Sequence, residues 1–364
     1  MLIVKWALGA LTITLILVCG ALTIWMQAPV TPDHGIADPA LAIANSEGNA
    51  SPRLGEAFFE YEGRNLHYVY AGEAGRELVL FIHGFPSFWF SFIRQIQAFK
   101  ADYRVVAIDG LGAGRSDAPH SIDAYTLEAM TAHLRALIDH LDADRVHLVG
   151  HDWGAVFALG FAQRYPESVV TVTGLSAPPQ SVILELLATD ESQHETFAYV
   201  ETLKKSNAII LMALGFEGRI WDGAYAPRVA AGDLSAAEGQ LFRRATSNPK
   251  RVDAHINWYR ANIPAVTDIQ QNDYWPSRKA RLIVPALFIW GSEDPLITPA
   301  VIAELESIAD DIQLLPMQNV GHWPHVERAD TVNASIRALL SNHRKVSMPA
   351  DPAQARVNAV VQPH

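Results

Sequence analysis

Asp152 sits at the centre of Gly150-His151-Asp152-Trp153-Gly154, with the short apolar run Val146-His147-Leu148-Val149 before it and an Ala-, Leu- and Phe-rich stretch of helical character after it. Small residues on both sides of a central reactive residue are what a sharp strand-to-helix turn needs, because a Cβ at either glycine would clash as the chain doubles back. Such a turn lifts the central side chain above a sheet and aims backbone N–H groups at the same spot. Its familiar form carries serine at the centre. Aspartate changes the chemistry. A carboxylate is ionised at neutral pH and needs no base to activate it as a nucleophile. It can open an epoxide or displace a halide at saturated carbon and leave an alkyl ester on the protein. The competing reading is a buried aspartate that caps a helix; acid and histidine partners downstream, in the right order, decide between the two.

His151-Asp152-Trp153-Gly154 resembles the epoxide hydrolase and haloalkane dehalogenase branch of the α/β-hydrolases. The resemblance covers about residues 54 to 345 and implies a mostly parallel central sheet flanked by helices, with a helical cap inserted. It implies that the loop His83-Gly84-Phe85-Pro86 supplies half of an oxyanion hole, with the backbone N–H groups of Phe85 and Trp153 as candidate donors. It places the acid that orients the histidine in Gly291-Ser292-Glu293-Asp294-Pro295, at Asp294 rather than Glu293. It places the base in Gly321-His322-Trp323-Pro324-His325, at His322 rather than His325. Nucleophile, acid, histidine is the chain order of an α/β-hydrolase.

Two cap tyrosines complete the expected site. Tyr259, in Asn257-Trp258-Tyr259-Arg260, resembles an epoxide hydrolase cap motif, and Tyr199, in Thr196-Phe197-Ala198-Tyr199, stands at that family's place for the first cap tyrosine. Ring opening makes an alkoxide, a poor leaving group in water. Two phenol O–H groups can hold the epoxide oxygen as charge develops, and one can deliver a proton. A tyrosine in a helical cap also packs its ring for stability alone. Tyr225 and Tyr274 are read in that way.

The elements that must position these groups follow from apolar patterning. Phe58 to Ala71 alternates and contains Gly63, as a β-hairpin does. Leu78 to Ile82, Arg104 to Ile108, Val169 to Leu175, Ala286 to Trp290 and Ile312 to Leu315 read as strands, the first ones covered on both faces. Leu127, Met130, Leu134, Leu137, Ile138 and Leu141 recur at helical spacing, so one face of that segment packs on a sheet. The loop Asp109-Gly110-Leu111-Gly112-Ala113-Gly114-Arg115-Ser116-Asp117 lacks the spacing of a dinucleotide site and the lysine of a P-loop, and is read as structural. Phe85-Pro86 is a candidate cis bond, since an ordered turn can select that isomer. From about Pro178 to about Pro276 the alternation gives way to an amphipathic helical region, the expected cap. The predicted division is 1–26 anchor or uncleaved signal, 27–53 flexible linker, 54–178 and 277–345 catalytic core, 179–276 cap, and 346–364 disordered tail.

Composition narrows the partners. With 364 residues, 49% hydrophobic and 18% charged, the chain is long enough for one large or two modest domains. A net charge of −11 and no basic run argue against a nucleic-acid partner. The single cysteine, Cys19, excludes a disulfide within the chain and a cysteine-based metal site. No metal or organic cofactor is expected; the expected partners are a small apolar epoxide and water. Trp6 to Met26 is a run of 21 residues without a charge, preceded by Lys5. Its length matches a membrane-spanning helix, and the basic end favours a cytoplasmic N-terminus with the catalytic part on the far side. The alternative is a cleaved signal and a secreted or periplasmic enzyme.

Two other functions remain open on the residues alone. A haloalkane dehalogenase would use the same Asp152 with halide donors such as the indoles of Trp153 and Trp258. A non-catalytic ligand-binding protein on the same scaffold would not need Asp152, Asp294 and His322 together.

Overall fold

Eight strands form one sheet in the computed structural model, in the order β1-β2-β4-β3-β5-β6-β7-β8. The structure describes residue 30 and residues 36–46, 51–205, 215–269 and 274–343. The strands are β1 (Gly55–Tyr61), β2 (Arg64–Ala71), β3 (Leu78–Ile82), β4 (Arg104–Ile108), β5 (Val146–His151), β6 (Val169–Leu175), β7 (Ala286–Gly291) and β8 (Ile312–Met317). The hairpin β1–β2 is antiparallel and joins β4 antiparallel; every pairing from β4 through β3 to β8 is parallel. Every residue of β3, β5 and β6 is buried. That is why β3 reads as an unbroken apolar run, while the buried polar residues of β5 and β6 find partners between strands, His147 with Thr171 at 2.8 Å.

Two layers of helices make the burial double-sided. Leu78, Leu80 and Ile82 of β3 point into one core with the helices Leu127–His140 and Trp153–Arg164, while Val79 and Phe81 point into the other with Ile93–Phe99 and Ala329–Asn342. Successive residues of a strand face opposite ways, so one short strand serves both cores. Thr126 starts Leu127–His140 by accepting from the Ala129 N–H, satisfying one of the donors every helix leaves open at its N-terminus.

Between β6 and β7 the chain leaves the sheet for a helical cap, running from Gln180–Thr189 to Val266–Ile269. Three ties fix the helix Pro249–Asn262 over the sheet. The Trp258 indole donates to the Leu111 carbonyl (2.9 Å), the Asn262 side chain donates to the Tyr125 carbonyl (2.8 Å), and Asn262 Oδ1 accepts from the Leu127 N–H (2.7 Å). The glycine-rich loop after β4 is therefore a seat for the cap. A Cβ on Gly110 would come within 2.5 Å of the Trp258 ring.

The predicted linker is corrected over residues 36–46. The segment Pro39–Ser46 is a helix with Ala40 and Ala44 buried, and Asp38 accepts from the Trp89 indole at 2.7 Å. Two alanines four apart share one helix face, and their small size lets the helix lie against the core. The Gln97 amide donates to the Ala44 carbonyl (2.9 Å), and Arg115 donates to the carbonyl of Ile36. The expected anchor at 1–26 and tail at 346–364 lie outside the described residues. Among the described residues no helix is long and apolar enough to cross a membrane.

Candidate active site

The turn after β5 has the strained geometry that its glycines allow. Asp152 lies at φ +52°, ψ −124°, between the end of the strand and the helix Trp153–Arg164. A non-glycine residue at such a φ costs on the order of 1–3 kcal/mol and persists where surrounding structure dictates it. The surroundings leave no slack. A Cβ on Gly150 would sit 2.1 Å from the Gly154 carbonyl oxygen, and one on Gly154 would sit 1.9 Å from that of Ile82. The Asp152 N–H donates to the Leu175 carbonyl (3.0 Å), tying the turn to β6.

The Asp152 carboxylate is held at both oxygens. Oδ1 accepts from the Phe85 N–H at 2.8 Å, and Oδ2 lies 3.5 Å from His322 Nε2. The Trp153 N–H also favours its ionised form. The Phe85 loop can approach because Gly84 has no side chain; a Cβ there would be 2.4 Å from Asp152 Cβ. Phe85-Pro86 is cis, as expected, and the Tyr225 hydroxyl donates to the Pro86 carbonyl (2.7 Å) from the cap.

His322 Nδ1 and Asp294 Oδ2 are 2.7 Å apart, with the Asp294 side chain fully buried. That bond selects Asp294 over Glu293. The neighbouring histidine is a core residue: His325 stacks on Phe92 and packs at a tilt against His151, neither ring nitrogen has a hydrogen-bond partner among the described residues, and burial followed by the His322 charge pushes its pKa down to about 3. The sequence offers no sign of one further support. His151 Nε2 lies 2.8 Å from the His322 carbonyl oxygen, so the residue before Asp152 braces the loop of His322.

Electrostatics make Asp152 and His322 an ion pair at rest. Burial works to raise the Asp152 pKa, but the hydrogen bond and charge of His322 hold it below the usual carboxylate range. Burial works to lower the His322 pKa, but the carboxylates of Asp152 and Asp294 outweigh it and hold it up at about 10.

A mostly apolar cavity of about 40 Å³ opens above Asp152, lined by Trp153, Tyr199, Tyr259, Phe197 and Leu186 among others. Tyr259 is buried, packed edge-on to Trp153 and Phe85, and the Trp153 indole N–H favours its hydroxyl as an acceptor. The Tyr199 ring lies 6.3 Å from that of Tyr259. Although 42% of Tyr199 is exposed, its hydroxyl is in the shielded interior beside Tyr259. Both phenol pKa values are raised. Desolvation leads in each case; the Asp152 charge comes next for Tyr199, and Tyr199 then Asp152 for Tyr259. Both hydroxyls thus keep their protons at neutral pH.

The remaining candidates are structural. Tyr225 stacks on Phe242, and Tyr274 donates to the Asp268 carbonyl. Trp258, weighed as a halide donor, spends its indole N–H on Leu111 and its ring on His83. Asp38, Glu56 and His67 present oxygen and nitrogen atoms within 4.8 Å of one another. These atoms are committed to Trp89, Arg115 and Asp109, at the N-terminal helix rather than at the turn.

Residues 77–329 match the family described as the alpha/beta hydrolase fold. The chain is 29% identical over 290 residues to mouse epoxide hydrolase 4, covering 78% of each. It is 28% identical over 320 residues to epoxide hydrolase A of Mycobacterium tuberculosis, covering 79% of this chain and 97% of that one. Among solved structures it is similar to a mutant of a Bacillus megaterium epoxide hydrolase complexed with its product, a naphthyloxy-propane-1,2-diol. The TM-score is 0.72 at 27% identity, over 78% of this chain and 100% of that one.

Proposed function

The chain belongs to the α/β-hydrolase fold family, and on that premise we propose that it hydrolyses epoxides to vicinal diols through a covalent ester on Asp152. The observation that carries this reading is one cavity. It sets an ionised carboxylate beneath two protonated phenols, with a histidine–aspartate pair behind the carboxylate.

In the first step Asp152 Oδ2 attacks an epoxide carbon. The C–O bond breaks towards oxygen, which Tyr199 and Tyr259 hydrogen-bond as its charge grows and one of them protonates. Esterification removes the negative charge that kept His322 protonated. Its pKa falls, and its proton restores the phenol. Neutral His322, oriented by Asp294, then takes a proton from water as that water bonds to Asp152 Cγ. The electron pair of the carbonyl goes to Oδ1, where the N–H groups of Phe85 and Trp153 receive the oxyanion. Collapse expels the diol oxygen, which takes the proton from His322. The carboxyl proton left on Asp152 passes to His322, and the resting ion pair is restored.

The phenols act only in the first step. Tyr259→Phe and Tyr199→Phe are each expected to lower the rate of ester formation by about 10²–10³-fold, the usual loss for one oxyanion donor. Tyr259→Phe should cost more, because Tyr259 is buried as a whole while 42% of Tyr199 is exposed. Single-turnover kinetics, which separate ester formation from ester hydrolysis, check this; hydrolysis slowed as much as formation would contradict it.

We assign Trp6 to Met26 as an anchor that holds the catalytic unit on the extracytoplasmic side of a membrane. The uncharged 21-residue run and Lys5 before it support this. The full chain should stay in the membrane pellet under alkaline carbonate while a chain lacking residues 1–26 is released. A mature N-terminus beyond Met26 would show a cleaved signal instead.

A further inference from the structure

The two phenols are not held equally well. Tyr259 is buried in the helix Pro249–Asn262, which three hydrogen bonds tie to the core. Tyr199 is partly exposed and rides on the helix Ala198–Lys205, only eight residues long. A donor that must meet a developing charge has to be held to about 0.5 Å. Tyr199 therefore needs a tie of its own.

Gln193 supplies one. It is 1% exposed and lines the cavity together with Asp152 and both phenols. Its side-chain amide crosses from the cap to the core and donates to Thr298 Oγ1 at 2.7 Å. Neighbouring groups bond within the cap instead: His194 Nε2 lies 2.7 Å from the Leu187 carbonyl oxygen, and Arg260 donates to the Lys204 carbonyl. From Gln193 the backbone leads straight to the phenol. The Phe197 N–H donates to the Gln193 carbonyl and the Val200 N–H to the Phe197 carbonyl, both at 3.0 Å. Those bonds fix the residues on either side of Tyr199.

The other end of the tie belongs to the catalytic loop. Thr298 closes the run that begins at Asp294, where Asp294 Oδ1 accepts from the Leu296 N–H (3.1 Å) and the Asp294 carbonyl from the Ile297 N–H (3.3 Å). Thr298 Oγ1 also accepts from the Val301 N–H and starts the helix Pro299–Ile308. Leu296, Ile297 and Val301 line the same cavity. Apolar contact alone has no preferred direction, whereas a short hydrogen bond fixes both distance and angle.

We propose that Gln193 is a positioning residue for the epoxide-opening step. Its bond to Thr298 pins the segment bearing Phe197 and Tyr199 to the loop of Asp294 and so sets the Tyr199 hydroxyl over the cavity. Gln193 itself acts through Tyr199 and not on the reacting atoms.

This rests on the covalent reading, so the test uses rapid-quench kinetics with intact-protein mass spectrometry on the full-length enzyme and styrene oxide as probe. Gln193→Leu, close in volume but without the donor, should slow ester formation about tenfold, the upper weight of one hydrogen bond. Ester hydrolysis should stay within about twofold of the parent, because the phenols act only in the first step. Thr298→Val should show the same split, and Thr298→Ser, which keeps the hydroxyl, should recover the rate. The effect must pass through the phenol: in a Tyr199→Phe background, Gln193→Leu should change ester formation by less than about twofold. A merely structural role would act whether or not the phenol is present. Ester formation in Gln193→Leu within about twofold of the parent, or a loss that persists undiminished in the Tyr199→Phe background, overturns the assignment. If His322→Gln with the same probe yields diol but no adduct, the covalent reading itself has failed, which is a different result.

Discussion

Asp152→Asn is expected to lower kcat by at least about 10⁴-fold, the scale seen when a group that must form a covalent bond is removed. The amide is isosteric with the carboxylate, tolerates the positive φ of the turn, and still offers an oxygen to the Phe85 N–H. The fold should therefore survive, and circular dichroism and melting temperature should match the parent. A second signature follows from the ion pair. With the Asp152 charge gone, the His322 pKa should fall well below its resting value of about 10. NMR titration of the imidazole reads this directly. A variant that stays inactive while His322 titrates unchanged would mean that the two side chains are not coupled in solution.

His322→Gln should separate the two half-reactions. Ester formation needs Asp152 and the phenols and should persist within a few-fold. Ester hydrolysis loses its general base and should slow by about 10²–10⁴-fold, so a protein adduct heavier by one substrate should appear and remain. The wild type carries a matching pH dependence. Only neutral imidazole can take the water proton, so ester hydrolysis rises with pH and levels off. Its apparent pKa must lie below about 10, because the ester no longer supplies the Asp152 charge that raises the resting value. Rapid-quench measurements across pH check both the direction and the displacement. Hydrolysis that falls as pH rises would contradict a base role for His322.

The parts of the fold most legible in the sequence are those where chemistry and burial coincide. Leu78–Ile82, Arg104–Ile108 and Val169–Leu175 appear at the expected bounds, because parallel strands buried on both faces must be continuous apolar runs. Asp152, Asp294 and His322 meet as expected, since each lies in a loop at the C-terminal end of a strand and the sheet brings those ends together. The helix Pro39–Ser46 was hidden for the opposite reason. Its order comes from tertiary partners such as Trp89 and Gln97, not from any local apolar pattern.

The halide alternative fails on geometry rather than on the nucleophile. Halide displacement would ask for two donors aimed into the cavity, but the Trp258 indole is bonded to the Leu111 carbonyl, which leaves Trp153 alone of the two. A phenol pair in that place suits an oxygen that gains charge and needs a proton. The binding-protein alternative leaves the ion pair at the turn without a purpose.

The route through Asp152 is tested most directly by a single turnover in ¹⁸O-labelled water, with enzyme in excess over epoxide. The mechanism predicts that the first diol carries no label and that one labelled oxygen appears in the peptide containing Asp152. Label in the first diol with none in Asp152 would mean that water attacks the epoxide directly and would contradict the mechanism.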